Sequence, residues 1–99
     1  MDVPQPGAIT LTIRPVAHSL GIFLSQSLLE EQGLAVGDKV IVTTTLAIEN
    51  GIERPLHASI HGRISTSAKN HGAFIIEKKL AKALCLDEGT AITFTIAKK

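Results

Sequence analysis

The chain has 99 residues and a formal net charge of +1, with 44% hydrophobic and 19% charged residues. This composition excludes a disordered chain and indicates one globular domain. Three Phe, without Trp or Tyr, also argue against a protein that binds single-stranded nucleic acid by stacking bases on aromatic rings.

The cysteine content and the hydropathy indicate the cellular compartment of the protein. The single Cys85 excludes an intramolecular disulfide and fits a reducing environment. We interpret it as a small buried residue between Leu84 and Leu86. No apolar run approaches the roughly 20 residues that span a bilayer, and no signal-peptide pattern opens the sequence. The sequence therefore predicts a cytoplasmic protein that does not associate with membranes.

The chain begins with a segment that lacks any regular pattern. Residues 1–7 contain two prolines and a glycine and are predicted to form a flexible tail. Apolar and polar residues then alternate over residues 9–13, which indicates a strand with one buried face. Pro15 has no amide hydrogen and is expected to end regular pairing. Residues 14–19 are therefore predicted to form a loop.

A strand, a short helix and a second strand follow. Residues 20–24 alternate again, and Ser27 with Glu30 has the spacing of a capping box at a helix start. Gly33 is expected to end the helix in the left-handed conformation. The β-branched residues that fill most of 40–48 then predict a longer strand.

The second half of the chain opens with a hairpin. Asn50-Gly51 is a strong signal for a tight type I′ turn, because both central residues of that turn need positive φ. Pro55, in the returning strand, is expected at an edge or a bulge. Residues 65–71 are predicted to form a polar loop, 78–84 a helix and 91–97 the last strand.

The two halves resemble each other at an offset of 52 positions. The matched residues are Leu28 with Leu80, Leu34 with Leu86, and Gly37 with Gly89. We therefore predict an internal duplication, with repeat one over residues 8–48 and repeat two over 52–99.

Two repeats of this size cannot form separate cores, and interleaved pairing around one core would remove the sheet edges. The predicted fold is mainly β: a small closed pseudo-twofold barrel of two strand–loop–strand–helix–strand repeats with two short helices. It would form one domain over residues 8–99. A homodimer that exchanges hairpins between chains is the alternative.

One stretch carries a resemblance to a known family. Residues 14–25 read Arg-Pro-Val-Ala-His-Ser-Leu-Gly-Ile-Phe-Leu-Ser, and they are followed by Leu28–Leu34 and the Gly37–Val40 turn. The order of basic strand end, polar loop, apolar strand, Leu-rich helix and Leu-x-x-Gly-Asp turn resembles the AbrB/MazE/SpoVT family of transcription regulators and antitoxins. The resemblance covers about residues 9 to 45, and repeat two echoes it.

The resemblance implies a function and a set of site residues. Members of the family pair two chains into a swapped-hairpin barrel whose loops and strand ends bind DNA. It therefore implies an AbrB-like DNA-binding regulator or antitoxin module, a homodimer without a cofactor, that contacts duplex DNA through two basic and polar loops. The residues carried over to these loops are Arg14, His18, Ser19, Arg63, Lys69, Asn70 and His71.

Departures from the family pattern keep a second function open. Phe23 stands where the family often has Arg, Ser25 stands where it has Pro, and the acidic tail of MazE-type antitoxins has no counterpart here. The alternative is therefore a protein-binding barrel of the same fold that has lost DNA binding. A barrel that binds small molecules or anions is a third hypothesis, for which no particular residue speaks.

Enzymatic and metal chemistry have little support in the sequence. His57 and His61 are four apart, but on a strand they would lie about 13 Å from each other, too far to share a metal. Ser65 and Ser67 with His71 could be mistaken for a nucleophile and base, yet no orienting acid lies nearby in the sequence. We therefore predict no catalytic residue, no metal site and no enzyme activity.

Overall fold

The computed structural model describes residues 8–16, 18–66 and 71–99. The predicted tail over residues 1–7 lies outside them. The fold is mainly β with two short helices, as predicted. In chain order the elements are β1 (Ile9–Thr12), β2 (Arg14–Val16), β3 (Ser19–Leu24), α1 (Gln26–Glu31), β4 (Lys39–Glu49), β5 (Ile52–Thr66), β6 (Gly72–Ile76), α2 (Lys78–Ala83) and β7 (Ala91–Lys98).

The seven strands form one curled antiparallel sheet in the order β1-β7-β4-β5-β6-β3-β2. Each neighbouring pair in this order is antiparallel. The first and the last strand of the order, β1 and β2, are consecutive in the chain, and only Ile13 separates them. One continuous segment therefore supplies both ends of the sheet.

Ile13 and Ile64 make matching backbone contacts. The Ile13 amide donates to the Gly89–Thr90 turn and its carbonyl accepts from the same turn, at 2.8 and 2.9 Å. Ile64 makes the same two bonds with the Gly37–Asp38 turn, at 3.0 and 2.8 Å. Each turn thus holds the strand of the other half of the chain.

Strand register follows the offset seen in the sequence. Ile22 lies opposite Phe74 at the centre of the β3–β6 pair, and Thr43 lies opposite Thr95 between β4 and β7. Both pairs are 52 residues apart, which is the offset between the matched leucines and glycines. Residues 52 positions apart therefore lie opposite each other in both strand pairs.

The inner face of the sheet holds a single hydrophobic core. Phe74 and Phe94 are its largest fully buried side chains. Gly62 lies against the Phe74 ring, and a Cβ atom built on Gly62 would come within 2.8 Å of a ring carbon. The absent side chain at Gly62 therefore makes room for Phe74.

Pro15 does not end the pairing, contrary to the sequence-based prediction. It lies inside β2 and pairs with Leu20. Because β2 has a hydrogen-bonded neighbour on one side only, a residue without an amide hydrogen is tolerated there. The predicted loop over 14–19 is correspondingly shorter, and the predicted loop over 65–71 is too long at its start because β5 continues to Thr66.

The start of α1 also differs from the prediction. Ser25 is the N-cap, and its hydroxyl accepts a hydrogen bond from the Leu28 amide at 3.2 Å. The capping box proposed for Ser27 and Glu30 is wrong, because the helix begins at Gln26 and Ser27 already lies in its first turn. A hydroxyl residue one turn before the Leu pair still starts the helix.

The two helices end in equivalent conformations. Gly33 follows α1 with φ +67°, as predicted, and Cys85 follows α2 with φ +57°. Cys85 is exposed rather than buried, which corrects the interpretation from the sequence. The Arg54 guanidinium donates to the carbonyl oxygens of Leu84 and Cys85 at 2.8 and 2.9 Å. This contact ties β5 to the end of α2.

The hairpin prediction is confirmed. Asn50 and Gly51 both have positive φ, +52° and +77°, between β4 and β5. The register shifts between Thr44 and Leu46, and Leu46 is the partner of Pro55. Pro55 therefore lies beside a bulge, as expected for a residue that cannot donate to the ladder.

Candidate nucleic-acid interface

The structure describes five of the seven predicted site residues. Arg14 lies on β2, His18 in the turn before β3, Ser19 at the start of β3, Arg63 on β5 and His71 just before β6. Ser19 is half-buried and the other four are exposed. Lys69 and Asn70 lie outside the described residues.

The two predicted loops lie at opposite ends of one strand pair. We call this pair, β3 and β6, the ribbon. Leu20 pairs with Ile76 and Leu24 pairs with Gly72, so His18 adjoins one end of the ribbon and His71 the other. The five residue steps of β3 separate the ends by about 17 Å. The loops therefore flank the ribbon lengthwise and do not form one contiguous patch.

Three exposed cations lie side by side on neighbouring strands. Arg63 on β5 pairs directly with Lys39 on β4. The backbone amide of Lys99, which follows β7, donates to the Lys39 carbonyl at 2.8 Å. These three side chains and His61 line a hollow of about 340 Å³. Like charges directly opposite each other on a sheet are unfavourable, so the arrangement costs stability unless an anion is present.

The acidic side chains of the described segments form no ion pair with these three cations. Within residues 8–16, 18–66 and 71–99 the ion pair found is between Lys98 and Asp38, at 3.6 Å. Asp38 also accepts a hydrogen bond from the Ala35 amide, so its carboxylate is committed to its own turn. Arg63, Lys39 and Lys99 therefore present their charge to solvent.

A fourth cation continues this row across the ribbon. Arg14 on β2 pairs with Gly21 on β3, and Gly21 pairs with Ile75 on β6. Ile75 lines the same hollow as Arg63. One row on the outer face thus crosses β2, β3, β6, β5, β4 and β7. We call its four charged residues the cationic belt: Arg14, Arg63, Lys39 and Lys99.

A second row on the outer face is uncharged. Thr12 pairs with Ala91, while Ser65 and Phe23 both pair with Ala73. Of these two rows, one therefore carries a concentrated positive charge, although the net charge of the chain is only +1.

The ribbon separates two hollows, and each contains an arginine. The β1-side hollow, about 300 Å³, is lined by Arg14 with two threonines of β1 and by Phe23 of the ribbon. The β5-side hollow, about 470 Å³, is lined by Arg63 with two serines of β5, by Ile75 of the ribbon and by the carboxylate-bearing Glu77 that follows β6. Phe23 is 40% exposed and Ile75 38% exposed. Each hollow therefore places a guanidinium and hydroxyl groups beside the apolar side chains of the ribbon. Guanidinium and hydroxyl groups bind phosphate oxygens.

Arg14 and Arg63 are site residues predicted from the sequence, whereas Lys39 and Lys99 were not predicted. Lys39 follows the Gly37–Asp38 turn and Lys99 follows the last strand, so both strand ends could be located in the sequence. Their approach to Arg63 depends on the registers of β4 with β5 and with β7. No local signal encodes these registers, although the offset of the repeat constrains them.

The described residues show neither a metal-ligand cluster nor a membrane-spanning helix. The described segments contain no group of three or more His, Cys, Asp or Glu side chains that could hold a metal ion. His57 and His61 are both exposed on β5. No helix of the described part of the chain is long and apolar enough to cross a membrane.

Comparisons with known proteins return no relative. No protein-family model matches this chain, and neither a curated protein nor a solved structure matches it.

Proposed function

We propose that this chain is a duplex-DNA-binding module, an AbrB-like transcription regulator or antitoxin-type protein, that holds the DNA backbone on the cationic belt. The observation that carries the proposal is the in-register row of Arg63, Lys39 and Lys99, none of which forms an ion pair among the described residues. A phosphate backbone bound there would remove the repulsion that the row otherwise builds into the sheet.

The loop residues implied by the family resemblance belong to the same proposal. His18 and Ser19 at one end of the ribbon, and Lys69, Asn70 and His71 at the other, would extend the contact along the DNA. Their role is binding rather than catalysis, and we propose no enzyme activity and no cofactor. A cytoplasmic location accords with DNA as the ligand.

We further propose that the sheet closes into a barrel whose repeats are related by a pseudo-twofold axis. Support comes from β1 and β2, which lie at the two ends of the strand order and are joined through Ile13. It also comes from the offset of 52 shared by the pairs Ile22–Phe74 and Thr43–Thr95. A closed sheet would give the belt a rigid support.

The test is a titration of duplex DNA at several salt concentrations. Each neutralised phosphate contributes about −0.9 to the slope of log K against log[salt], so four belt contacts predict a slope of about −3.6. The double variant Lys39→Ala/Lys99→Ala should bind more weakly at low salt and have a slope shallower by about 1.8.

A matched control removes the same charge elsewhere. Lys78 and Lys79 are exposed on α2 and are not part of the belt, so Lys78→Ala/Lys79→Ala should leave the slope close to that of the wild type. Equal effects of the two double variants would mean that net charge, and not the belt, governs binding. If the wild type shows no salt-sensitive binding, the proposed function is wrong.

A protein-binding barrel is the second candidate, and the exposure of Phe23 and Ile75 favours it. Apolar side chains grouped on an outer face often mark a protein interface. A pull-down from nuclease-treated lysate that recovers a stoichiometric partner, together with absent DNA binding, would support this candidate. A homodimer, as implied by the family resemblance, would appear as twice the chain mass in sedimentation equilibrium.

A further inference from the structure

The ribbon has an outer surface that the proposed backbone contacts do not use. The inner side chains of β3 and β6, such as Ile22 and Phe74, are buried in the core. The outer positions alternate with them and hold Gly21 and Ala73 beside Phe23 and Ile75. These outer positions include no charged residue. Gly21 and Ala73 are buried, so the exposed surface between the two arginines of the hollows is formed by the apolar side chains of Phe23 and Ile75.

The spacing of the two arginines matches one dimension of B-form DNA. Arg14 and Arg63 lie on the strands that flank the ribbon, three strand spacings apart, or about 14 Å along the sheet. The major groove is about 12 Å wide and admits a two-stranded β-ribbon, whereas the minor groove is about 6 Å wide and does not. A ribbon seated in the major groove would bring one phosphate backbone to each hollow.

Phe23 and Ile75 then face the edges of the base pairs. The apolar group that base pairs present in the major groove is the 5-methyl group of thymine. Two exposed apolar side chains that carry no hydrogen-bonding group are suited to this methyl group and unsuited to polar base edges. The charges on either side favour DNA over a protein partner with an apolar surface.

We infer that the ribbon binds in the major groove of duplex DNA, with Phe23 and Ile75 in contact with thymine methyl groups and Arg14 and Arg63 on opposite backbones. This inference rests on the proposed function and specifies which bases the interface prefers. It also predicts discrimination against double-stranded RNA, because the major groove of A-form RNA is too narrow and deep to admit the ribbon.

The experiment compares two DNA duplexes that differ only by methyl groups. One is A·T-rich and the other has the same sequence with uracil in place of thymine. Burial of one methyl group contributes about 0.8 kcal/mol, so the wild type should bind the thymine duplex about fourfold more tightly for each methyl contact. The variant Phe23→Ala/Ile75→Ala should bind both duplexes equally.

The control variant is Ile52→Ala, which removes an apolar side chain that is 72% exposed at the β4–β5 hairpin. It should retain the preference for thymine. Urea unfolding of each variant establishes that the fold is kept. Equal affinity of the wild type for both duplexes, with salt-sensitive binding intact, would overturn this inference and leave the proposed function standing. Loss of salt-sensitive binding altogether would remove both.

Discussion

Cys85 occupies a backbone conformation that suits glycine. It has φ +57° after α2, at the position where Gly33 has φ +67° after α1. The left-handed conformation costs a residue with a Cβ atom roughly 1 kcal/mol. The Cys85 side chain is exposed, and Arg54 contacts its backbone carbonyl rather than its sulfur. A substitution at Cys85 can therefore relieve the backbone strain without loss of the contact that ties β5 to α2.

We expect Cys85→Gly to raise the free energy of unfolding by up to about 1 kcal/mol, because glycine relieves this strain and the carbonyl contact is retained. Urea unfolding monitored by circular dichroism measures the change. The reciprocal variant Gly33→Ala should lower stability by about the same amount, since no atom lies within 4 Å of the added methyl and only backbone strain is introduced. A less stable Cys85→Gly protein would show that the thiol itself stabilises the fold.

Elements with local signals were predicted well from the sequence, and elements that depend on a neighbour were not. The hairpin at Asn50-Gly51 and the helix end at Gly33 follow from residues that favour one backbone conformation. The pairing of β2 was missed because Pro15 opposes regular pairing in general and is tolerated only on a strand with one neighbour. That position is fixed by the sheet order, which local patterns do not reveal.

The ribbon depends on the close approach of β3 and β6 at Gly21. A Cβ atom at this position would lie 2.6 Å from the carbonyl oxygen of Phe74, a backbone atom that cannot turn away. We therefore expect Gly21→Ala to lower the free energy of unfolding by about 1–3 kcal/mol, as overpacking of a well-packed site does, and to weaken DNA binding. Urea unfolding and the DNA titration measure the two effects.

A control for Gly21→Ala lies on the same strand. Ser19→Ala adds no volume, and the described contacts include no hydrogen bond from the Ser19 hydroxyl, so this variant should remain close to the wild type in stability. If the Gly21→Ala variant were as stable as the wild type, β3 and β6 would be able to move slightly apart without loss of stability. The ribbon would then be too flexible to hold its side chains in fixed positions in the major groove of DNA.

For the molecule as a whole, two of the four residues of the cationic belt were predicted from the sequence. Arg14 and Arg63 were reached through the loop positions of the repeats, whereas Lys39 and Lys99 join them through pairings between residues 24 and 60 positions apart. Such long-range registers are set by the packing of the core, in which the β4 and β7 side chains Val40, Val42 and Phe94 are fully buried. The difference in charge between the belt and the uncharged row follows only once the registers are known.

The last prediction concerns the closure of the sheet. A closed barrel requires Ile13 and Ile64 to make similar contributions to the free energy of unfolding. Both are buried, 0% and 1% exposed, and each binds the glycine turn of the other half. In a closed barrel Ile13→Ala and Ile64→Ala should each lower the free energy of unfolding by about 2–5 kcal/mol, by loss of buried methyl groups and creation of a cavity. Ile52→Ala, at an exposed site, should change it by less than about 0.5 kcal/mol. In an open sheet the segment around Ile13 would be a frayed edge, so Ile13→Ala would be much milder than Ile64→Ala, which lies in the middle of the strand order. Comparable losses for the two variants in urea unfolding would accord with the closed barrel, and a much smaller loss for Ile13→Ala would contradict it.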